Sequence, residues 1–189
     1  MTINAETAAR DDIILTLYDL FRRAGYDAVS IADISEATGL GKSSLYHHFP
    51  GGKPDMAEAV GEFALAHMRT NVFAPLGAAA PLETRIAAMM KTVSAMYEGG
   101  GAPCLVASMM VSPTASPKAV RTVKSILAEW IDALASALRK DGVSAAHANT
   151  RATAAIIAIQ GALIVARAAG EKKIFDAALK AARSDLLAE

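Results

Sequence analysis

Residues 30–53 read SIADISEATGLGKSSLYHHFPGGK, and the reading of this stretch decides the fold. Ser30 stands where a helix N-cap belongs, and Asp33 three residues later makes a shortened capping box. Ile31 and Ile34 then face inward, and Gly39 ends the helix. A third helix starts near Lys42, after only a few residues. Leu45 and Phe49, four apart, give it one apolar side. Pro50-Gly51-Gly52 breaks it. Ser35 is small, so the two helices can cross closely. Two short helices joined by a tight glycine turn and preceded by a longer helix form the helix-turn-helix pattern.

Working outward, Ile13, Ile14, Leu17, Leu20, Phe21 and Ala24 fall on one face of a first helix over 6–24, and Gly25 stops it. A long fourth helix is expected over 53–74. Pro81 opens a fifth, with a stripe of Leu82, Ile86, Met89, Met90, Val93 and Met96 or Tyr97. Pro103 opens a short sixth. Ser116-Pro117 starts a seventh, whose stripe is Val123, Leu127, Trp130, Leu134 and Leu138. Ser144 caps an eighth helix that runs to about Gly170 and is apolar nearly all round across 154–166; a ninth spans about 172–187. Such an all-round apolar helix must be covered on several sides. The fold class is all-α, with about nine helices. Residues 1–52 form the helix-turn-helix module and 53–189 a larger helical domain.

Composition agrees. Of 189 residues, 53% are hydrophobic, enough to bury a substantial core, and no long run alternates with period two. The 19 bases balance 19 acids, so overall charge says nothing about nucleic acid. Cys104 is the single cysteine, which excludes an internal disulfide and a cysteine zinc site and makes a reducing cytoplasm the default compartment. The opening MTINAETAARDD has no apolar signal core. The apolar uncharged stretch 152–166 is shorter than the roughly 20 residues of a bilayer span. A buried helix and no membrane association are expected.

The third helix carries the chemistry. With Leu45 and Phe49 turned inward, Lys42, Ser43, Ser44, Tyr46, His47 and His48 cover its other sides. These side chains hydrogen-bond phosphates and base edges, and a helix so presented fits the major groove with its N-terminal residues nearest the bases. Lys53 starts the fourth helix, where its ammonium and the helix's positive end both suit a phosphate. The adjacent histidines do not share a face, and no carboxylate or cysteine stands at ligand spacing, so no metal is expected. Residues 1–55 nonetheless hold five bases and eight acids, a net −3. Binding to DNA therefore requires a local basic face, with Asp11, Asp12 and Asp19 turned away.

Residues 30–53 resemble the DNA-binding region of TetR-family transcriptional repressors, most specifically in Leu45 to Phe49 followed by Lys53. The Pro-Gly-Gly-Lys insertion and the segment GAPCL at 101–105 are similar to the branch containing the lincomycin-resistance regulator LmrA and YxaF. The resemblance implies a two-fold dimer on a palindromic operator, with recognition helices in successive major grooves. It also implies a ligand pocket in the larger domain. Carried over, Ser30, Tyr46 and Lys53 contact phosphates. Lys42, Ser43, Ser44 and His47 face bases or adjacent backbone, and His48 sits at the edge. Many members have an arginine or similar polar residue where this chain has Ala32.

In the larger domain, Met89, Met90, Met96, Tyr97, Met109, Met110 and Trp130 fall on inward faces. They suit either plain core packing or an adaptable site for an apolar effector. Gln160 and Arg167 offer polar anchors, Arg167 equally an interface residue. The last two helices are the expected dimer surface: Gly161 and the alanines over 152–169 permit close approach, and Leu163, Ile164, Phe175 and Leu179 supply apolar area. Coupling of about 1–3 kcal/mol between pocket and DNA would run through the fourth helix. No cofactor is expected, and no glycine-rich phosphate loop, metal-ligand set or partnered nucleophile points to an enzyme. A transcriptional activator, and a binding module that has lost its DNA function, remain alternatives to a repressor.

Overall fold

The computed structural model describes residues 5–188, with side chains from Arg10 onward. The absence of a signal core was read partly from residues that lie outside this range. Nine α-helices form among the described residues: α1 (Ala5–Ala24), α2 (Ile31–Thr38), α3 (Lys42–His48), α4 (Lys53–Met68), α5 (Leu82–Met96), α6 (Leu105–Met110), α7 (Pro117–Lys140), α8 (Ala145–Ala169) and α9 (Lys172–Leu187). No strand occurs among them.

The chain divides into two compact units. One holds the residues up to 65 together with Leu105–Lys124; the other holds Ala66–Cys104 and Ser125 onward. The division falls inside α4 and α7. The first unit thus extends past residue 52 and recruits α6 and the start of α7.

In the first unit, Ile13, Ile14, Leu17 and Phe21 of α1 are buried with Ile34 of α2 and Leu45 and Phe49 at α3. Ala24, read as part of the α1 stripe, is exposed. It is the last residue of the helix, where the chain turns at Gly25. The Ser108 hydroxyl of α6 donates to the Phe21 carbonyl (3.2 Å) at the end of α1. Glu58 of α4 accepts from the Ser116 hydroxyl (2.7 Å) and pairs with Lys118 (3.0 Å) at the start of α7.

In the second unit α4 does not continue to 74 as a regular helix. One π-helical turn, Arg69–Phe73, and a 3-10 turn, Ala74–Gly77, follow it. The Ala74 N–H donates to the Arg69 carbonyl, five residues back. Pro75 has no N–H for the Asn71 carbonyl and its ring crowds that position, so the ladder shifts register just before it. A fork from Arg69 to Glu129 (2.6 and 2.7 Å) ties the π turn to α7. Buried Arg85 donates to the carbonyls of Leu76 and Ala80, each at 2.9 Å, and fixes the 3-10 turn and the bend after it.

α8 and α9 pack along each other, and α9 also meets α5. Ala148, Ala152, Ala155, Ile156, Ile159, Ala162, Leu163 and Ala166 form the buried side of α8; Phe175, Leu179, Ala182 and Leu186 form that of α9. By length and composition α8, with 25 residues and a mean hydropathy of 1.7 over its most apolar window, is long and apolar enough to cross a membrane. In this fold the buried side is a packing face of the helical bundle.

Gly100 shows how tightly the second unit closes. Its φ is +94°, and a Cβ there would lie 2.5 Å from the Phe175 Cβ. Gly170 shares the left-handed conformation but has open space around it. Gly170→Ala should cost about 1 kcal/mol of backbone strain. Gly100→Ala should cost distinctly more, because a core backbone must also shift. Urea unfolding of both variants checks the order.

Candidate nucleic-acid interface

The interface is built from local rules. Ser30 caps α2 through a complete capping box. Its hydroxyl accepts from the Asp33 N–H (3.2 Å), while the Asp33 carboxylate accepts from the Ser30 N–H and hydroxyl, both at 2.8 Å. Gly39, at φ +69°, closes α2 in the left-handed region. The Ser35 hydroxyl donates to the Leu40 carbonyl and so braces the turn. Gly41 is the N-cap of α3 and offers no side chain, leaving the first N–H groups of α3 uncovered by a cap.

Leu45 and Phe49 are buried, and the residues between and before them point out. Lys42, Ser43, Ser44, Tyr46 and His47 are exposed; His48 is half-buried. The face read from the sequence is therefore a contiguous surface on α3. His47 and His48 meet edge to face (5.6 Å between ring centres). Tyr46 is 46% exposed, and its ring lies over Gly52. A Cβ at Gly52 would come within 3.2 Å of that ring, and its φ is +70°, so only glycine fits both demands. The break after α3 thus seats Tyr46.

Lys53 is the most constrained member of the set. Its ammonium lies 4.4 Å from the centre of the Tyr26 ring and donates to the Asp27 carbonyl at 3.4 Å. Partial burial pushes its pKa down, against the opposing pull of Asp27 and Asp33. The Ser30 hydroxyl proton is already given to Asp33. Residues not singled out in the sequence also belong here. Arg10 of α1 stacks over the Phe49 ring (5.1 Å) and brings a positive charge to the C-terminal end of α3. Tyr26 and Asp27 hold Lys53. Their separations, 39 and 27 or 26 residues, leave no local signal in the sequence.

The candidate ligand residues divide between the two units. Met89, Met90, Tyr97 and Trp130 are buried in the second, with Met96 partly so. The Trp130 indole N–H donates to the Met89 sulfur (3.4 Å), and the Tyr97 hydroxyl to the Cys104 sulfur (3.6 Å). Met109 and Met110 belong to the first unit, Met109 buried and Met110 41% exposed rather than inward. The Gln160 side-chain nitrogen is buried without a hydrogen-bond partner. Among the described residues no group of histidine, cysteine, aspartate and glutamate could hold a metal.

The surface of α8 corrects the expected interface residues. Leu163, Phe175 and Leu179 are buried inside the protomer, where α8, α9 and α5 pack together and the Phe175 ring meets Tyr97 (6.1 Å between centres). The outward apolar residues are Ile157 (67% exposed), Ile164 (65%) and Val165 (53%), and Gly161 lies open between them.

The Asp33 carboxyl is held below its ordinary value of 3.8, chiefly by the Ser30 N–H and then by the hydroxyl. A carboxyl lowered on folding adds stability above its unfolded value and loses it as pH falls through the folded one. Asp33→Asn should therefore be less stable than the unsubstituted protein at neutral pH. The gap should close below 3.8. Thermal melts of the pair across that range check it.

Comparison with known proteins bears on these surfaces. Residues 13–60 match the family described as bacterial regulatory proteins, tetR family. Residues 78–181 match the transcriptional regulator LmrA/YxaF-like, C-terminal domain. The chain is 26% identical over 162 residues to the HTH-type transcriptional regulator LmrA of Bacillus subtilis, covering 83% of this chain and 85% of the relative. It is 23% identical over 184 residues to an uncharacterised HTH-type transcriptional regulator of Mycobacterium tuberculosis, covering 95% of each. Among solved structures, a TetR transcriptional regulator from Legionella pneumophila superposes with a TM-score of 0.82 at 21% identity, over 96% of this chain and 97% of that one. The N-terminal match covers the capping box, the glycine turn and α3, and the C-terminal match supports the branch expected from Pro50 to Lys53 and residues 101–105. The chain belongs to the TetR family of bacterial transcriptional regulators, which are DNA-binding proteins rather than enzymes, and carries a C-terminal domain of the LmrA/YxaF type.

Proposed function

We propose that the protein is a ligand-responsive repressor that binds a palindromic operator as a dimer and is released by a small, largely apolar effector. The observation that carries this reading is the outer face of α3. Lys42, Ser43, Ser44, Tyr46 and His47 stand exposed together on a helix seated by Leu45 and Phe49. In this reading Tyr46 and Lys53 meet phosphates, as does Ser30 once its hydroxyl turns from Asp33, while Lys42, Ser43, Ser44 and His47 face bases or neighbouring backbone, with His48 at the edge. The site of action is the cytoplasm, where the operator is.

For the effector, the support is the apolar set of Met89, Met90, Met96, Tyr97 and Trp130, together with the unpartnered amide of Gln160. Methionine adapts its shape to a ligand, and a buried donor without an acceptor is a place for a ligand oxygen.

For the dimer, the support is the outer face of α8. Ile157, Ile164 and Val165 form an apolar stripe around the open Gly161, and regulators of this family dimerise. A two-fold contact covers the same stripe on both protomers.

Two experiments test the proposal. Gel-shift binding to DNA immediately upstream of the gene should occur at nanomolar protein and weaken as salt rises. Tyr46→Ala and Lys53→Ala should each weaken it while the dimer stays folded; unchanged affinity in both counts against the reading. Ile164→Glu should turn a particle of twice the 19.6 kDa chain mass into a single chain in sedimentation. A monomeric unsubstituted protein would remove the dimer from the proposal.

A further inference from the structure

Lys53 is held from two sides by the loop between α1 and α2, and that loop is held in turn by a distant part of the chain. The Tyr26 ring is buried, set edge-on against Phe21 (5.2 Å between centres), and carries the ammonium over its ring at 4.4 Å. The Asp27 carbonyl accepts from the same ammonium. Behind them, the Tyr26 N–H donates to the Ser108 hydroxyl (3.2 Å). The Asp27 carboxylate accepts from the hydroxyls of Ser112 (2.8 Å) and Thr114. The Ser112 oxygen also accepts from the N–H groups of Thr114 (3.2 Å) and Ala115 (2.9 Å), which leaves its proton directed at Asp27. All these residues lie in the first compact unit.

A lysine with four rotatable bonds loses rotamer freedom when it docks on a phosphate, and one already held loses less. We propose that Tyr26 and Asp27 are positioning residues for DNA binding: ring face and carbonyl aim the Lys53 ammonium, and the hydroxyls of Ser112 and Thr114 keep the dipeptide in the conformation that does so. The proposal rests on the reading of α3 and Lys53 as a DNA surface. It makes a segment some sixty residues further along the chain a determinant of DNA affinity without any contact to DNA.

The test has a readout independent of DNA. In carbon–proton NMR spectra of the full chain, the Lys53 ε-methylene should be shifted upfield by the Tyr26 ring. Tyr26→Phe should keep that shift. Tyr26→Leu should lose it, and Ser112→Ala with Thr114→Val, both on the surface loop, should reduce it. An unchanged shift in the double variant overturns the positioning proposal and leaves the DNA reading intact. The second readout is anisotropy with a labelled upstream duplex of about 30 base pairs, three helical turns, over a salt series. Lys53→Met should lower the salt slope by about one unit. The double variant should weaken binding about threefold when Lys53 is present, the scale of a lost cation–π contact, and have no effect in the Lys53→Met background. Equal losses in both backgrounds would mean that the hydroxyls act on the fold alone and overturn the proposal. No binding by the unsubstituted protein at low salt would overturn the DNA reading and the proposal together.

Discussion

A seven-residue helix does not hold itself in water, so everything that α3 presents depends on the burial of Leu45 and Phe49. These two side chains fix the rotation of α3 about its own axis, and that rotation decides which residues face out. At roughly 25 cal/mol per Å² of apolar surface, two such side chains contribute a few kcal/mol. That is enough to order one helix and too little to tolerate a slip in register. The surrounding devices serve the same end: the Ser30–Asp33 capping box, the braced turn from Ser35 to Leu40, and the glycine at 52 that lets Tyr46 lie flat.

The net −3 over residues 1–55 looked like an obstacle to DNA binding. Several of those acids have local work. Asp33 caps α2, Asp55 accepts from the Gly51 N–H before α4, Asp19 pairs with Arg22, and Asp27 takes the hydroxyls of Ser112 and Thr114. The hydrogen bonds hold the Asp27 and Asp33 carboxyls below their ordinary values, because they favour the charged form. Their charge is not removed; it is placed where it orders turns and helix starts. The bases that matter are likewise set by geometry: Arg10 against Phe49 and Lys53 against Tyr26. An electrostatic surface of this kind is a matter of position rather than of sum.

The second unit shows the same division of labour with apolar groups. α8 is apolar nearly all round, and its faces have different employments. One side packs on α9, with Leu163 inside; the other leaves Ile157, Ile164 and Val165 in contact with solvent. Trp130 and Met89 meet through an indole N–H and a sulfur, so the largest buried side chain has a partner for its polar edge.

What the amino-acid sequence determined by itself was whatever depends on neighbours a few residues apart. Helix starts at Ser30, Ser116 and Ser144, stops at Gly39 and Gly170, and the inward pair Leu45 and Phe49 are all of this kind, and the structure has each of them. Caps, left-handed glycines and 3.6-residue periodicity act within one or two turns, so they can be read in a line of letters. The tertiary structure alone decided the rest. It joined Leu105–Lys124 to the first unit, put Tyr26 and Asp27 on Lys53, assigned Met109 to the first unit and Met89 to the second, and gave Leu163 to the interior and Ile164 to the surface. Each of these depends on segments tens of residues apart in the chain. Which apolar face of a helix is covered, and by what, is settled by the other helices that arrive there and not by the helix's own residues.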